Sequence, residues 1–172
     1  YESTEHIKAA ITIERDPGEK GADYKSVNIS FSKIGIINRL VAGDFSARFG
    51  QGLVLWNSFA MDSYTDARSL SKHPAGLSPY NSTDENRALR GISAALEKDD
   101  WRFTILASHR KYDARVADGE YTSLLTTGLH NTKTTLERKG SLDGTLIGTN
   151  ISWSGNSSRI SQTTALYWYS LP

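Results

Sequence analysis

The 172-residue chain contains no cysteine. It therefore has no disulfide framework and no thiolate chemistry, a composition compatible with many bacterial proteins. Charge of one dominant sign is also missing: twenty Lys and Arg stand against nineteen Asp and Glu, a formal net charge of +1. No global field then argues for nucleic acid or an anionic membrane surface as partner. There is no long apolar run. That excludes a transmembrane helix but not a transmembrane β-strand, whose apolar residues come at every second position. No phosphate-binding loop, no Gly-x-Ser-x-Gly elbow and no sequence repeat occurs. His6, His73, His109 and His130 lie far apart without metal-ligand spacing, so neither metal nor cofactor is expected. The opening "YESTEHIKAA" has no Met and no signal peptide, and reads as a mature chain or an excised piece.

What is abundant is alternation at period two, the mark of a strand with two unlike faces. In "HIKAAITIERD" (6–16), Ile7, Ala9, Ile11 and Ile13 oppose Lys8, Thr12 and Glu14. In "YKSVNISFSK" (24–33), Val27, Ile29 and Phe31 oppose Ser26, Asn28, Ser30 and Ser32. "RLVAGDFSARFG" (39–50) sets Val41, Phe45 and Phe49 against Asp44, Ser46 and Arg48. In "WRFTILASHR" (101–110), Trp101, Phe103, Ile105 and Ala107 oppose Arg102, Thr104, Ser108 and Arg110. With 88–97, 145–153 and 159–170, seven strands are expected. Tight connections such as "EKDD" and "SGNSS" alternate with two long stretches, Ser58 to Arg87 and Lys111 to Leu142, the second partly helical around "SLLTTGLHNTKTTLERK".

Two all-β architectures share this pattern. A soluble antiparallel domain hides its apolar face; a membrane β-barrel turns it to lipid and lines its lumen with polar residues. Strand length, the alternation of short and long connections, and aromatics near strand ends (Trp101, Tyr112, Trp153, Trp168) favour the barrel. The expected fold is an antiparallel meander forming part of a transmembrane β-barrel, one domain over 1–172 with two long loops.

Four segments carry a family likeness. "GDFSARFGQGLVLW" (43–56), "PYNSTDENRALRG" (79–91), "SHRKYDA" (108–114) and "YTSLLTTGLHNTKTTLERKGSL" (121–142) resemble motifs of Bacteroidota outer-membrane barrels commonly labelled helix-hairpin-helix proteins. The family more often has Tyr where Phe45 stands and Arg where Asn131 stands. No helix-hairpin-helix is present, so its DNA association does not carry over. The resemblance implies a central part of a larger barrel in the outer membrane of a Gram-negative bacterium. On that reading Asp44, Ser46 and Arg48 face the lumen and Val41, Phe45 and Phe49 face lipid. Gly50 and Gly52 allow a tight bend, and "LVLW" packs within the protein.

Asp44, Arg48, Arg90, Arg102 and Arg110 are candidates for a charged network in the lumen, of the kind that braces a barrel or sets pore selectivity. Asp84, Glu85, Asn86 and Arg87 place acid, amide and base together, to close a loop by Asx-type hydrogen bonds or to hold a cation; the structural role is favoured. The leading function is an outer-membrane barrel with a transport, assembly or structural role, with the lipid bilayer and envelope proteins as partners and no nucleic acid. A second is a soluble secreted β-domain binding glycan or protein through loop aromatics such as Tyr64 and Tyr80. A third, a lipid-acting barrel enzyme, finds no convincing nucleophile and base, and no enzyme is expected.

Overall fold

A computed structural model describes residues 6–14, 24–56, 72–126, 128, 130 and 132–172. Tyr64, Asn131, the turn at 16–21 and most of the first half of the 58–87 stretch lie outside the described residues. The strands are β1 (Ile7–Glu14), β2 (Tyr24–Ile34), β3 (Ile37–Arg48), β4 (Gly76–Pro79), β5 (Leu89–Lys98), β6 (Trp101–Tyr112), β7 (Ala114–Ala117), β8 (Glu120–Leu124), β9 (Leu142–Ser154) and β10 (Arg159–Tyr169). Among the described residues one short helix, α1 (Lys133–Arg138), lies between β8 and β9, its start closed by a Thr132–Thr135 capping box.

The main sheet is an antiparallel meander in the order β1-β2-β3-β5-β6-β9-β10, with β4 pairing β3 off this path; β7 and β8 form a separate hairpin. The all-β antiparallel meander is as the alternation implies. No closed barrel forms among the described residues: β1 and β10 do not pair with each other. Register gathers the short turns at one end. Ile37 pairs Leu96, Lys98 pairs Trp101, and Trp101 pairs Trp153, so turns 35–36, 99–100 and 155–158 lie together. The connections 49–88 and 113–141 leave from the opposite end.

The register also sorts side chains onto two faces. Ile92, Ala107 and Ile147 align on one, and Ser93, Leu106 and Gly148 on the other. The first face is open: Ile11 is 71% exposed, Val27 57%, Ile92 56% and Ile105 47%. The second is covered and mixed: Ser26, Asn28, Ser30, Ser93, Thr104, Ser108 and Asn150 are buried there beside Val41, Leu89, Leu106 and Leu146. β10 is the least apolar part of the open face, with Gln162 and Thr164 between Ile160 and Leu166.

The covered face is filled by the chain itself. β2 and β3 pair only as far as Asn28 and Gly43; beyond that, β4 pairs Phe45 to Arg48. Arg39 Nη1 donates to the Leu77 carbonyl at 3.1 Å, and Asn28 Nδ2 donates to the Tyr80 carbonyl at 2.8 Å. The turn after Phe49 brings Leu55 back, 3.1 Å from where a Gly148 Cβ would stand. Val41, Phe45, Ala47, Phe49, Leu55, Leu77, Leu106 and Leu146 thus form one buried apolar cluster.

This corrects one expectation. Val41, Phe45 and Phe49 do not face outward; they are 0%, 0% and 5% exposed. Val41 pairs Ser30 and Ser93, both on the covered face, so the register assigns it inward. Phe45, in register with buried Leu89 of β5, and Phe49 keep the same alternate positions as Val41 and so fall on the same side. "LVLW" divides: Leu55 is buried, whereas Leu53 is 94% exposed.

Candidate functional site

β3 also carries Asp44. In register with Arg90 of β5, its carboxylate is 1% exposed. Arg90 Nε donates to Oδ1 at 2.7 Å and Nη2 to Oδ2 at 2.9 Å, a fork on both oxygens. Nη2 also donates to the Lys25 carbonyl at 2.9 Å. A buried carboxylate without such partners is costly, so pairing is what allows an acid here. The guanidinium side is half exposed, which reduces the Coulombic share through solvent screening. Asp44→Asn is therefore expected to destabilise by about 1–3 kcal/mol, mostly from imperfectly paired buried groups. In double-mutant cycles by denaturant unfolding, Asp44 should couple to Arg90 but add independently, within about 0.5 kcal/mol, with Arg102 and Arg110. Zero coupling with Arg90 would show the fork to be energetically idle.

The other candidate residues divide between the two ends of the sheet. Arg110 stays near Asp44, donating from Nη2 to the Glu85 carbonyl at 2.9 Å and from Nη1 to the Ala88 carbonyl, with its guanidinium 4.6 Å from the Tyr112 ring centre. Arg102 lies at the tight-turn end, its Nη2 on Glu97 at 3.0 Å. Arg48 borders the same second cleft as Arg102, of about 290 Å³. Asp44, Arg90 and Arg110 thus border the cleft at one end of the sheet, and Arg48 and Arg102 the cleft at the other.

The 82–87 segment closes on itself. Asp84 Oδ1 accepts the Asn86 N–H at 3.1 Å, Arg87 Nε pairs Oδ2 at 2.5 Å, and Ser82 Oγ accepts the Asp84 N–H at 3.3 Å. These are the Asx-type contacts a short polar loop uses in place of a strand ladder. Tyr80 donates its phenol to the Asp84 carbonyl at 2.7 Å, and burial pushes that phenol's pKa up.

One pairing had no signal in the linear sequence. His130 Nε2 donates to Asp113 Oδ2 at 2.6 Å, and Lys139 Nζ stands 3.3 Å from Nδ1. The Asp113 carboxylate can only accept, so Nε2 carries the proton of that hydrogen bond. Asp113 Oδ1 accepts the Gly140 N–H at 2.7 Å. Nearby Ser141 exchanges hydrogen bonds with the Ala114 backbone at 2.9 and 3.2 Å, so its hydroxyl is engaged structurally. The cluster ties the two ends of the 113–141 connection to each other.

Comparison with family models, with curated proteins and with solved structures finds no match to this chain.

This end carries a cleft of about 720 Å³, bordered by Lys25, Asp44, Glu85, Arg90, Arg110, Lys111, Asp113 and Lys139 among others. Lys25 and Lys111 were not singled out from sequence, and His109 was weighed there only as a metal ligand, yet the signal was present. They continue the same alternate positions as Val27 and Ile29 in β2 and as Phe103, Ile105 and Ala107 in β6.

Proposed function

We propose that this chain belongs to an outer-membrane β-barrel, its open apolar face against lipid and its covered face toward the barrel interior. The barrel serves a transport, assembly or structural role in the envelope and is not an enzyme. One observation carries the reading: one face of the sheet leaves large aliphatic side chains open, while polar side chains are buried beside the apolar cluster on the other. Isoleucines at positions 11, 92 and 105 stand open while Asn28, Ser93 and Thr104 are 3%, 2% and 1% exposed. A sheet with one wet face puts its polar side chains there. Lipid reverses the preference, and a spanning sheet keeps polar groups inward. The paired Trp101 and Trp153 near the tight turns fit an interfacial position. The motif likeness to Bacteroidota outer-membrane barrels points the same way. By analogy with such barrels, the short turns face the periplasm and the long connections the exterior.

The test is fractionation of the full-length gene product expressed in a Gram-negative envelope. It should remain with the outer membrane through salt and carbonate washes and require detergent for extraction. Recovery in the soluble periplasmic fraction without detergent would overturn the reading, and would identify the open face as one covered by another protein layer.

A further inference from the structure

We infer that the cleft at the long-connection end of the open face binds the phosphate headgroup of an anionic amphiphile. The inference rests on the open face meeting lipid. Along β6 the open positions run Trp101, Phe103, Ile105, Ala107 and then His109 and Lys111. Along β2 they run Ile29, Val27 and then Lys25, and along β5, Ile92 and then Arg90. Counted from the row Ile29–Ala42–Ile92–Ala107–Ile147, Arg90 and His109 stand two residues on, level with Val27, and Lys25 and Lys111 stand four residues on, so the change from apolar to basic spreads over two successive levels. An interface between hydrocarbon and headgroups has this profile, and the cations stand where headgroup phosphates would lie.

The cleft at those levels is built for an anion. Five basic side chains and three acidic ones border it among the described residues. Two of the acids are already engaged: Asp44 by the Arg90 fork, and Asp113 by His130 and Gly140. The ammonium groups of Lys25 and Lys111 have no acceptor among the described residues, and Arg90 keeps its Nη1 edge unused. Arg90 is held in place from behind by Asp44 and the Lys25 carbonyl, so its guanidinium is oriented before any ligand arrives. A planar guanidinium edge beside two mobile ammonium groups suits a phosphomonoester, which offers several acceptor oxygens and up to two charges. A volume of about 720 Å³ holds a substituted headgroup, larger than inorganic phosphate. The adjoining apolar row supplies what a free phosphate ester could not use, a surface for the acyl chain. Net charge gave no hint of this because the bases are offset by acids elsewhere; the feature is local.

The test uses the full-length protein in detergent micelles, with dioctanoyl phosphatidic acid as probe, dioctanoyl phosphatidylcholine as neutral comparison and glycerol 3-phosphate as the soluble phosphate. Binding is read by native mass spectrometry. Wild type should retain phosphatidic acid at least tenfold better than phosphatidylcholine, and Lys25→Gln with Lys111→Gln should remove most of that preference. Lys33→Gln with Lys98→Gln, at the tight-turn end, should leave it unchanged. Equal retention of the two lipids, or a preference that survives the Lys25/Lys111 pair, would overturn the inference. Glycerol 3-phosphate binding as tightly as the lipid would also overturn it, by making the ligand a soluble phosphate. Failure of the membrane reading is read separately, by recovery of the protein in the soluble fraction. A protein that needs detergent yet shows no phosphate preference refutes this site alone.

Discussion

Arginine at Ile105 should lower stability in phospholipid vesicles by about 2–4 kcal/mol, the cost of that side chain near the middle of an apolar band. Ile105 lies mid-strand on the open face, between Ala94 of β5 and Thr149 of β9. In water the same change at a side chain 47% exposed would fall within about 0.5 kcal/mol of neutral. The two environments therefore give outcomes that denaturant unfolding in vesicles separates. Ile36→Arg is the depth control: it is 58% exposed, but in the turn between β2 and β3, outside the apolar band. Its cost should be about 0–1 kcal/mol. Neutral results at both positions would mean the open face meets water. Thr104, the neighbour on the other face, offers no mild comparison, because it is 1% exposed and arginine there would overpack the interior.

The second large effect is expected at Gly43. Its φ is +98°, and an added Cβ would stand 2.1 Å from the Val27 carbonyl oxygen and 2.9 Å from the Asn28 Cα. Those are backbone atoms of the neighbouring strand, which cannot swing away as a side-chain tip could. Gly43→Ala should cost about 4 kcal/mol or more, combining backbone strain with a clash that forces β2 and β3 apart. Gly35→Ala is the comparison: φ is +57° and nothing lies within 4 Å of the added atom. That change should cost only about 1–2 kcal/mol, the left-handed penalty alone. Equal losses at the two glycines, measured by denaturant unfolding, would show that the bend is not needed for stability.

Much of the sheet was legible before any coordinates. The seven long strands fall on the alternating stretches, and the short turns at "EKDD" and "SGNSS" sit where tight connections are expected. The short strands were not. β4 has four residues, with glycine first and proline last, and it exists because the bent end of β3 offers it a partner. β7 and β8 likewise carry too few residues for a period to show. The inward turn of Phe45 was hidden for a related reason. Alternation assigns residues to two faces but does not say which face is which. Asp44 with Arg90 was within reach of sequence reasoning as acid and base on neighbouring strands. His130 with Asp113 was not, since only the folded 113–141 connection brings them together. Lys25 and Lys111 were visible throughout as the ends of apolar series. Reading each series past its last apolar residue, to the first charge, would have found them.

The bend at Gly43 also constrains the order of folding events. The end of β3, β4 and the 49–56 turn occupy the covered face, held by Asn28 and Arg39 of strands that precede them in the chain. β6 and β9, whose Leu106 and Leu146 complete the same cluster, follow them. A segment cannot readily be threaded beneath a wall whose strands are already paired. The tucked segment must therefore seat as the later strands dock, with its contacts forming early or together with theirs. Loosening those contacts, for example by Leu77→Ala, would then slow folding more than it speeds unfolding. The glycine that shapes the native interior would in this way also schedule the steps by which the sheet is built.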